Sequence, residues 1–177
     1  AIDMGRDLVP GTDFTPIDMG KGIRAGTAVC FEGVFGYVTR NFALRGANVL
    51  VVISNDAWYP KSSEPEQHLA NAVMRAVETG LPMVRCGNNG GSLVVTRDGR
   101  ITQVLEVHGT EKRLELRRGR GFRQVAVRVI GNPQKTFYVR FGEWFIGVIG
   151  IIVLTWVLFA ISEYRKNRLS LLEKMEE

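Results

Sequence analysis

The sequence predicts an α/β domain followed by one membrane-spanning helix, and three stretches carry that prediction. Residues 48–54, NVLVVIS, form a β-branched run of the kind that fills a parallel strand buried on both faces. An apolar run at 23–30 and a helical stripe precede it, so strand, helix and strand fit a right-handed βαβ unit with parallel pairing. Between Glu143 and Glu163 lie 19 residues without a charge. At 1.5 Å per residue that is about 28 Å of helix, close to the hydrocarbon thickness of a bilayer.

Composition agrees once this run is set apart. The chain has 177 residues, 45% of them hydrophobic, and a formal charge of +5. Its mean hydropathy of +0.01 averages two unlike parts. The other 158 residues carry all 41 charged side chains, an ordinary density for a globular domain. Disorder is excluded by the apolar content, and a domain of this size needs no disulfide staples. Trp144 and Tyr164 stand at the ends of the uncharged run, where aromatic residues favour the membrane interface. Arg128, Lys135 and Arg140 precede the run; Arg165, Lys166, Arg168 and Lys174 follow it, too even a split to set orientation. The basic residues of 111–128 read as a solvated hairpin. Without an aromatic platform or a binding motif beside them, nucleic acid is not an expected partner. The first residue is Ala1, and the chain reads as a piece of a longer protein.

The elements follow in order. Residues 1–20, rich in Gly, Asp and Pro, read as loop with short extended stretches. Residues 23–30 read as a buried strand. Val34, Tyr37, Val38, Phe42 and Leu44 then make a helical stripe over 33–45, stopped by Gly46. After the strand at 48–54 and a turn at 55–62, Ser63 and Glu66 fit a capping box for a helix whose apolar face is Leu69, Val73, Ala76 and Val77. Gly80 and Pro82 end it. Residues 83–87 and 91–96 read as strands, RDGR at 97–100 as a hairpin turn into 101–107, and 123–130 as a half-exposed strand. The expected division is a domain over 1–140, a transmembrane helix over 143–163 and a polar tail over 164–177.

Ligands of open α/β sheets bind at the carboxyl ends of the strands. Three such ends carry distinctive residues: Cys30-Phe31-Glu32-Gly33, Ser54-Asn55-Asp56-Ala57-Trp58 and Arg85-Cys86-Gly87-Asn88-Asn89-Gly90. Cys30 is the candidate nucleophile, because unpaired N–H groups at a strand-to-helix turn favour a thiolate. The Phe31 amide could serve an oxyanion. A lone cysteine is more often an inert core residue, so the weight rests on the combination. Two cysteines and two histidines show no zinc spacing, and neither metal nor cofactor is expected.

That combination has a counterpart. AVCFEGVFG, the stretch LVVISNDAWYPKSSEPEQHLANAVMRAVETGLPMVR, NNGGS, FYVRFGEW and the closing apolar run resemble the nitrilase (carbon–nitrogen hydrolase) superfamily. Within it they resemble the apolipoprotein N-acyltransferases. The resemblance implies an α-β-β-α sandwich, present here in its carboxyl-terminal part. It implies a two-stage reaction in which Cys30 takes an acyl chain from a phospholipid as a thioester, and the N-terminal cysteine amine of an apolipoprotein receives it. It also implies a bacterial inner-membrane location, with the domain periplasmic and the tail cytoplasmic. By the same resemblance Glu32 is catalytic or orients the catalytic lysine, with an ion pair to Arg75 or Arg85 as the structural alternative. Phe31 stands where the family often has Tyr. Asn55, Asp56 and Trp58 flank the pocket, Trp58 either touching acyl chains or packing. His68, Arg75 and Glu78 form a helix motif, equally a scaffold network.

The family's triad also needs a Glu and a Lys upstream of the cysteine. Lys21, in a Gly-Lys-Gly turn, is expected to be exposed and no substitute. The missing amino-terminal segment of the enzyme is therefore an expected partner, and the chain alone is expected to be inactive. Cys86 is read as a bystander, with a Cys30–Cys86 disulfide as the alternative. Two other functions stay open: a nitrilase-type amide hydrolase and an inactive membrane-anchored binding module.

Overall fold

The computed structural model describes residues 11–58, 62–88, 91–104 and 123–176. It divides into two units, Ala1–Arg140 and Phe141–Glu177.

The first unit is built on one six-stranded sheet in sequence order: β1 (Ile17–Asp18), β2 (Arg24–Val29), β3 (Val49–Asn55), β4 (Met83–Asn88), β5 (Leu93–Val95) and β6 (Ile101–Val104). β2, β3 and β4 run parallel, and β1, β5 and β6 attach antiparallel at the edges. Each parallel connection needs a crossover. The first is a 3-10 turn (Cys30–Val34) leading into α1 (Gly36–Leu44); the second is α2 (Glu64–Thr79). The stripe at 33–45 is thus two pieces, because Phe35 is extended (φ −83°, ψ 116°) and breaks the helical path. Gly80 closes α2 at φ 67°, its N–H bonded to the carbonyls of Ala76 and Val77.

Alternation sorts the two faces of the sheet. Ala28, Leu50, Val52, Met83, Leu93 and Val95 join Val38, Phe42, Leu69, Ala72 and Ala76 of the helices in the core. Gly26 has no room for a side chain, since a Cβ would stand 2.6 Å from Phe42 Cβ. The opposite face is bare where β2, β3 and β4 end. Val29, Ile53 and Cys86 are register partners in one row, and all three are exposed. This corrects the reading of 48–54 as a strand buried on both faces. Its run of apolar residues feeds a helix-covered face and one that lacks a cover among the described residues.

Two further expectations fail. Ser63 precedes α2 without a side-chain cap; Ser62 Oγ instead accepts the Glu64 N–H at 3.3 Å. Residues 123–130 alternate in exposure but belong to no strand. Side chains hold them locally, Arg123 Nη1 donating to Val104 O at 2.6 Å and Gln103 Nε2 to Ala126 O at 3.0 Å. The basic run at 111–122 and His108 lie outside the described residues.

A five-residue helix, α3 (Phe137–Phe141), lies at the boundary between the units, its first four residues in the first. The second unit is the long helix α4 (Trp144–Glu176). Its segment Trp144–Lys166 is long and apolar enough to cross a membrane, and none of it is buried. Thr155, near its middle, donates its hydroxyl to Ile152 O at 2.8 Å, which satisfies a polar group that hydrocarbon would leave without a partner.

Candidate active site

Cys30 follows the last residue of β2 with φ at +52°. For a side chain with a Cβ this left-handed conformation is unfavourable and persists only where surrounding contacts enforce it. Those contacts are visible. Glu32 Oε2 accepts the Val29 N–H at 2.8 Å, folding the turn back on the strand it leaves. Phe35 N–H bonds to Glu32 O at 3.2 Å. From α2, Arg75 Nη1 donates to Val34 O while its Nη2 donates to Glu78 Oε1 at 2.6 Å. Glu32 is therefore turned into its own backbone and pairs with neither Arg75 nor Arg85.

The half-buried thiol residue opens on a small pocket lined by Gly33, Val34, Val52, His68, Ala72 and Arg85. Gly33 lets the turn lie close to β3; a Cβ there would meet Val52 Cγ1 at 3.2 Å. Behind the pocket is a network of buried charge. Asp56, immediately after β3, is 0% exposed, and Arg85 of β4 is 2% exposed. Arg85 Nη2 donates to Asp56 Oδ2 at 2.7 Å and Nη1 to Gly91 O at 2.7 Å. Ser54 Oγ donates to Asp56 Oδ1 at 2.5 Å. His68 Nδ1 lies 3.2 Å from the same Oδ1 and 3.0 Å from Glu64 Oε1. Burial by itself disfavours the Asp56 anion, but the hydrogen bonds from Ser54, Arg85 and His68, with the Arg85 charge, hold its carboxyl below the ordinary range. Glu64 is pushed the other way, chiefly by burial that the neighbouring His68 only partly offsets. Its Oε2 is buried without a hydrogen-bond partner among the described residues.

Asp56, Glu64 and His68 bring three donor atoms within 4.8 Å of one another. A cation there would share Asp56 with the Arg85 guanidinium, so the donor set suits ion pairs better than a metal.

The sequence candidates thus fall into separate groups. Cys30 and His68 line the pocket, and Asp56 lies behind it on His68. Arg75 and Glu78 form a second cluster under the turn, so His68, Arg75 and Glu78 are not one network. Asn55 accepts from Asn88 Nδ2 at 3.1 Å and is exposed. Phe31 is exposed and meets Phe35 edge-on at 5.3 Å. Trp58 is 70% exposed, which excludes plain packing for its ring among the described residues. Lys21 is exposed at the opposite end of β2, and that six-residue strand spans roughly 17 Å. Cys86 cannot bridge to Cys30. Its register places it two strands over, roughly 10 Å away and on the other face, beyond the about 7 Å between Cα atoms that a disulfide tolerates. Both thiols are free.

Glu64 goes unnoticed in the sequence, and Ser54 and Arg85 stand there only as strand-end residues, Arg85 also as an alternative partner of Glu32, without the role they take around Asp56. The one usable signal was an arginine inside the apolar strand MVRCG at a position facing the helices.

The chain is 43% identical to the apolipoprotein N-acyltransferase of Geobacter metallireducens over 95 residues, covering 54% of this chain and 18% of that protein. It is 35% identical to the apolipoprotein N-acyltransferase of Nitrosomonas europaea over 158 residues, covering 89% and 29%. The chain thus spans under a third of the length of these relatives. A carbon-nitrogen hydrolase from Helicobacter pylori overlays 55% of this chain and 41% of its own, with a TM-score of 0.49 at 21% identity. The carbon-nitrogen hydrolase family as a whole matches residues 4–112. With that match over more than half its residues, the chain belongs to the carbon-nitrogen hydrolase family.

Proposed function

We propose that this chain supplies the thiol nucleophile and a membrane anchor to an N-acyltransferase that moves an acyl chain from a phospholipid to the N-terminal cysteine amine of apolipoproteins. The observation that carries the reading is Cys30 itself, held at φ +52° between strand and helix with its pocket backed by Asp56, Arg85 and His68. Similarity to relatives named apolipoprotein N-acyltransferase supports the choice of acceptor.

The Cys30 thiolate attacks the ester carbonyl of the phospholipid. The C–S bond forms, the C–O bond breaks, and the lysophospholipid leaves as its oxygen takes up the proton that the thiol gave up. The apolipoprotein amine then attacks the thioester carbonyl, the C–N bond forms, the C–S bond breaks, and the amine's proton departs as the thiolate is restored. A thioester divides one difficult transfer into two easier ones. Glu32 stays a site residue through the turn it braces. Asn55 and Trp58 flank the entrance, and Trp58, with Phe31, offers apolar surface to acyl chains. The catalytic Glu and Lys come from an upstream segment of the same enzyme, and the bare row Val29, Ile53 and Cys86 is where a second sheet would seat. The Trp144–Lys166 segment spans the bacterial inner membrane, with the first unit periplasmic and the tail cytoplasmic.

The test is acylation by phosphatidylethanolamine labelled in its acyl chain, followed by mass analysis of a trapped thioester. Label on Cys30 that disappears in Cys30→Ala, given the upstream segment, is the expected result. Label elsewhere, or none with the segment present, overturns the reading. Because the pocket is small and carries His68 and Arg85, hydrolysis of a compact amide is the second reading, and release of ammonia from short amides in the same preparation would favour it.

A further inference from the structure

The Cys30 turn is held at both ends, and by different means. At its start Glu32 Oε2 accepts the Val29 N–H at 2.8 Å. At its far end Phe35 is extended and takes the chain out of the turn. There Arg75 of α2 reaches across and donates Nη1 to the Val34 carbonyl. The same guanidinium donates Nη2 to Glu78 Oε1 at 2.6 Å, three residues further along α2. Arg75 is 9% exposed, and the Glu78 side chain is largely covered. The first residue of α1 lies close against the pair. A Cβ on Gly36 would stand 3.4 Å from both Arg75 Cζ and Glu78 Oε2, and 2.5 Å from the Tyr138 hydroxyl.

Stability alone does not explain the pair. Two ions taken out of water are repaid only when hydrogen bonds satisfy their remaining polar atoms. Arg75 Nε and Glu78 Oε2 are instead buried without a hydrogen-bond partner among the described residues. What the arrangement supplies is direction. A guanidinium is a rigid planar fork, so fixing one prong on a carboxylate of its own helix sets the aim of the other. That prong ends on the turn whose first residue, Cys30, stands at φ +52°. Such backbone persists only where its surroundings enforce it.

We propose that Arg75 is a positioning residue for the nucleophile: braced by Glu78, it pins the Val34 end of the turn to α2 and so keeps the Cys30 thiol at its pocket. The effect on rate rests on the acyl-transfer reading; the contacts do not. A misplacement of about 1 Å costs on the order of a hundredfold in rate, so a turn free at one end forfeits most of what its strain secures.

The experiment compares the full chain in detergent with Arg75→Met and with Arg75→Met combined with Glu78→Leu. The double variant leaves no buried ion unpaired, so its unfolding midpoint is expected at or above the parent's, while Arg75→Met alone lowers it. Hydrogen–deuterium exchange read by mass spectrometry follows the turn. Amides of 31–35 are expected to exchange about tenfold faster in both variants, and those of 49–54 to stay within about twofold. Arg75→Lys, with a point charge in place of the fork, is expected to fall between. With the upstream segment and phosphatidylethanolamine supplied, acylation of Cys30 is expected to fall on the order of tenfold in both variants. Protection of the turn that returns with stability in the double variant reduces Arg75 to scaffold and overturns the proposal. Unchanged exchange in Arg75→Met, or equal acceleration at 31–35 and 49–54, overturns it as well. So does parental acylation over a loosened turn. Absence of acylation in the parent protein would sink the acyl-transfer reading alone, since exchange still decides whether Arg75 holds the turn.

Discussion

Asp56, in the turn after β3, and Arg85, within β4, meet at 2.7 Å, both withdrawn from solvent. Such a pair is costly to break one side at a time, because the remaining charge stays buried without its partner. Arg85→Met is expected to lose about 3–5 kcal/mol of unfolding free energy. Arg85→Met combined with Asp56→Asn should lose distinctly less than the sum of the two single changes. Denaturant titration of the four proteins in detergent measures the coupling; simple additivity would contradict it.

The same network sets an acid-side profile with two opposing limbs. Asp56 lies below its ordinary value of 3.8, so its stabilisation is complete above that pH and is lost as pH falls through the lower folded value. Glu64 lies above its ordinary value of 4.5. The folded state therefore binds its proton more tightly than the unfolded chain, and stability declines as pH rises from about 4.5 through the folded value. Glu64→Gln is expected to flatten the decline and leave the acid limb, and Asp56→Asn to do the reverse. Stability against pH for the two variants reads both; a decline that survives in Glu64→Gln would refute the assignment.

Left-handed backbone at Cys30 leads to a comparison of two variants that lack the thiol. Glycine adopts φ near +52° freely, whereas alanine keeps the Cβ penalty of about 1 kcal/mol. Cys30→Gly should therefore be at least as stable as Cys30→Ala, although glycine in extended or helical backbone usually lowers stability. Thermal unfolding decides it, and a Cys30→Gly protein clearly less stable than Cys30→Ala would show that the turn relaxes.

Glu32 separates structure from chemistry by the choice of replacement. Glutamine can still accept the Val29 N–H, so Glu32→Gln is expected to keep fold stability while Glu32→Ala loses about 1 kcal/mol. If the carboxylate also has a charge-dependent role, acylation falls in Glu32→Gln with stability unchanged. Equal acylation in Glu32→Gln and the parent would confine Glu32 to holding the turn.

The βαβ unit, the stop at Gly80 and the apolar helix were legible because each rests on local rules: periodicity, a left-handed cap and the length of an uncharged run. The site was legible by residue type but not by wiring. His68 and Arg75 are seven residues apart on one helix, yet His68 turns to Asp56 and Arg75 to the Val34 carbonyl, since partners from other elements decide where each side chain is satisfied. Arg85 was legible only as an alternative ion-pair partner of Glu32, because a charge in an apolar strand looks like a solvent-facing position. It is buried on the helix side of β4 only because Asp56 waits there. Burial of 48–54 on both faces was over-read, as apolar composition records what a face is made to bury and not what covers it. Alternation at 123–130 likewise records exposure without strand pairing.

Cys86 turns that bare row into an instrument. Two thiols stand on opposite sides of one sheet, one at the pocket and one on the face that lacks a cover among the described residues. On the proposed function, their relative alkylation rates form a two-channel footprint: protection of Cys86 alone would report assembly of the domain, protection of Cys30 alone would report acylation. The order in which the two signals appear on adding first the upstream segment and then lipid would time assembly against chemistry, with no engineered label.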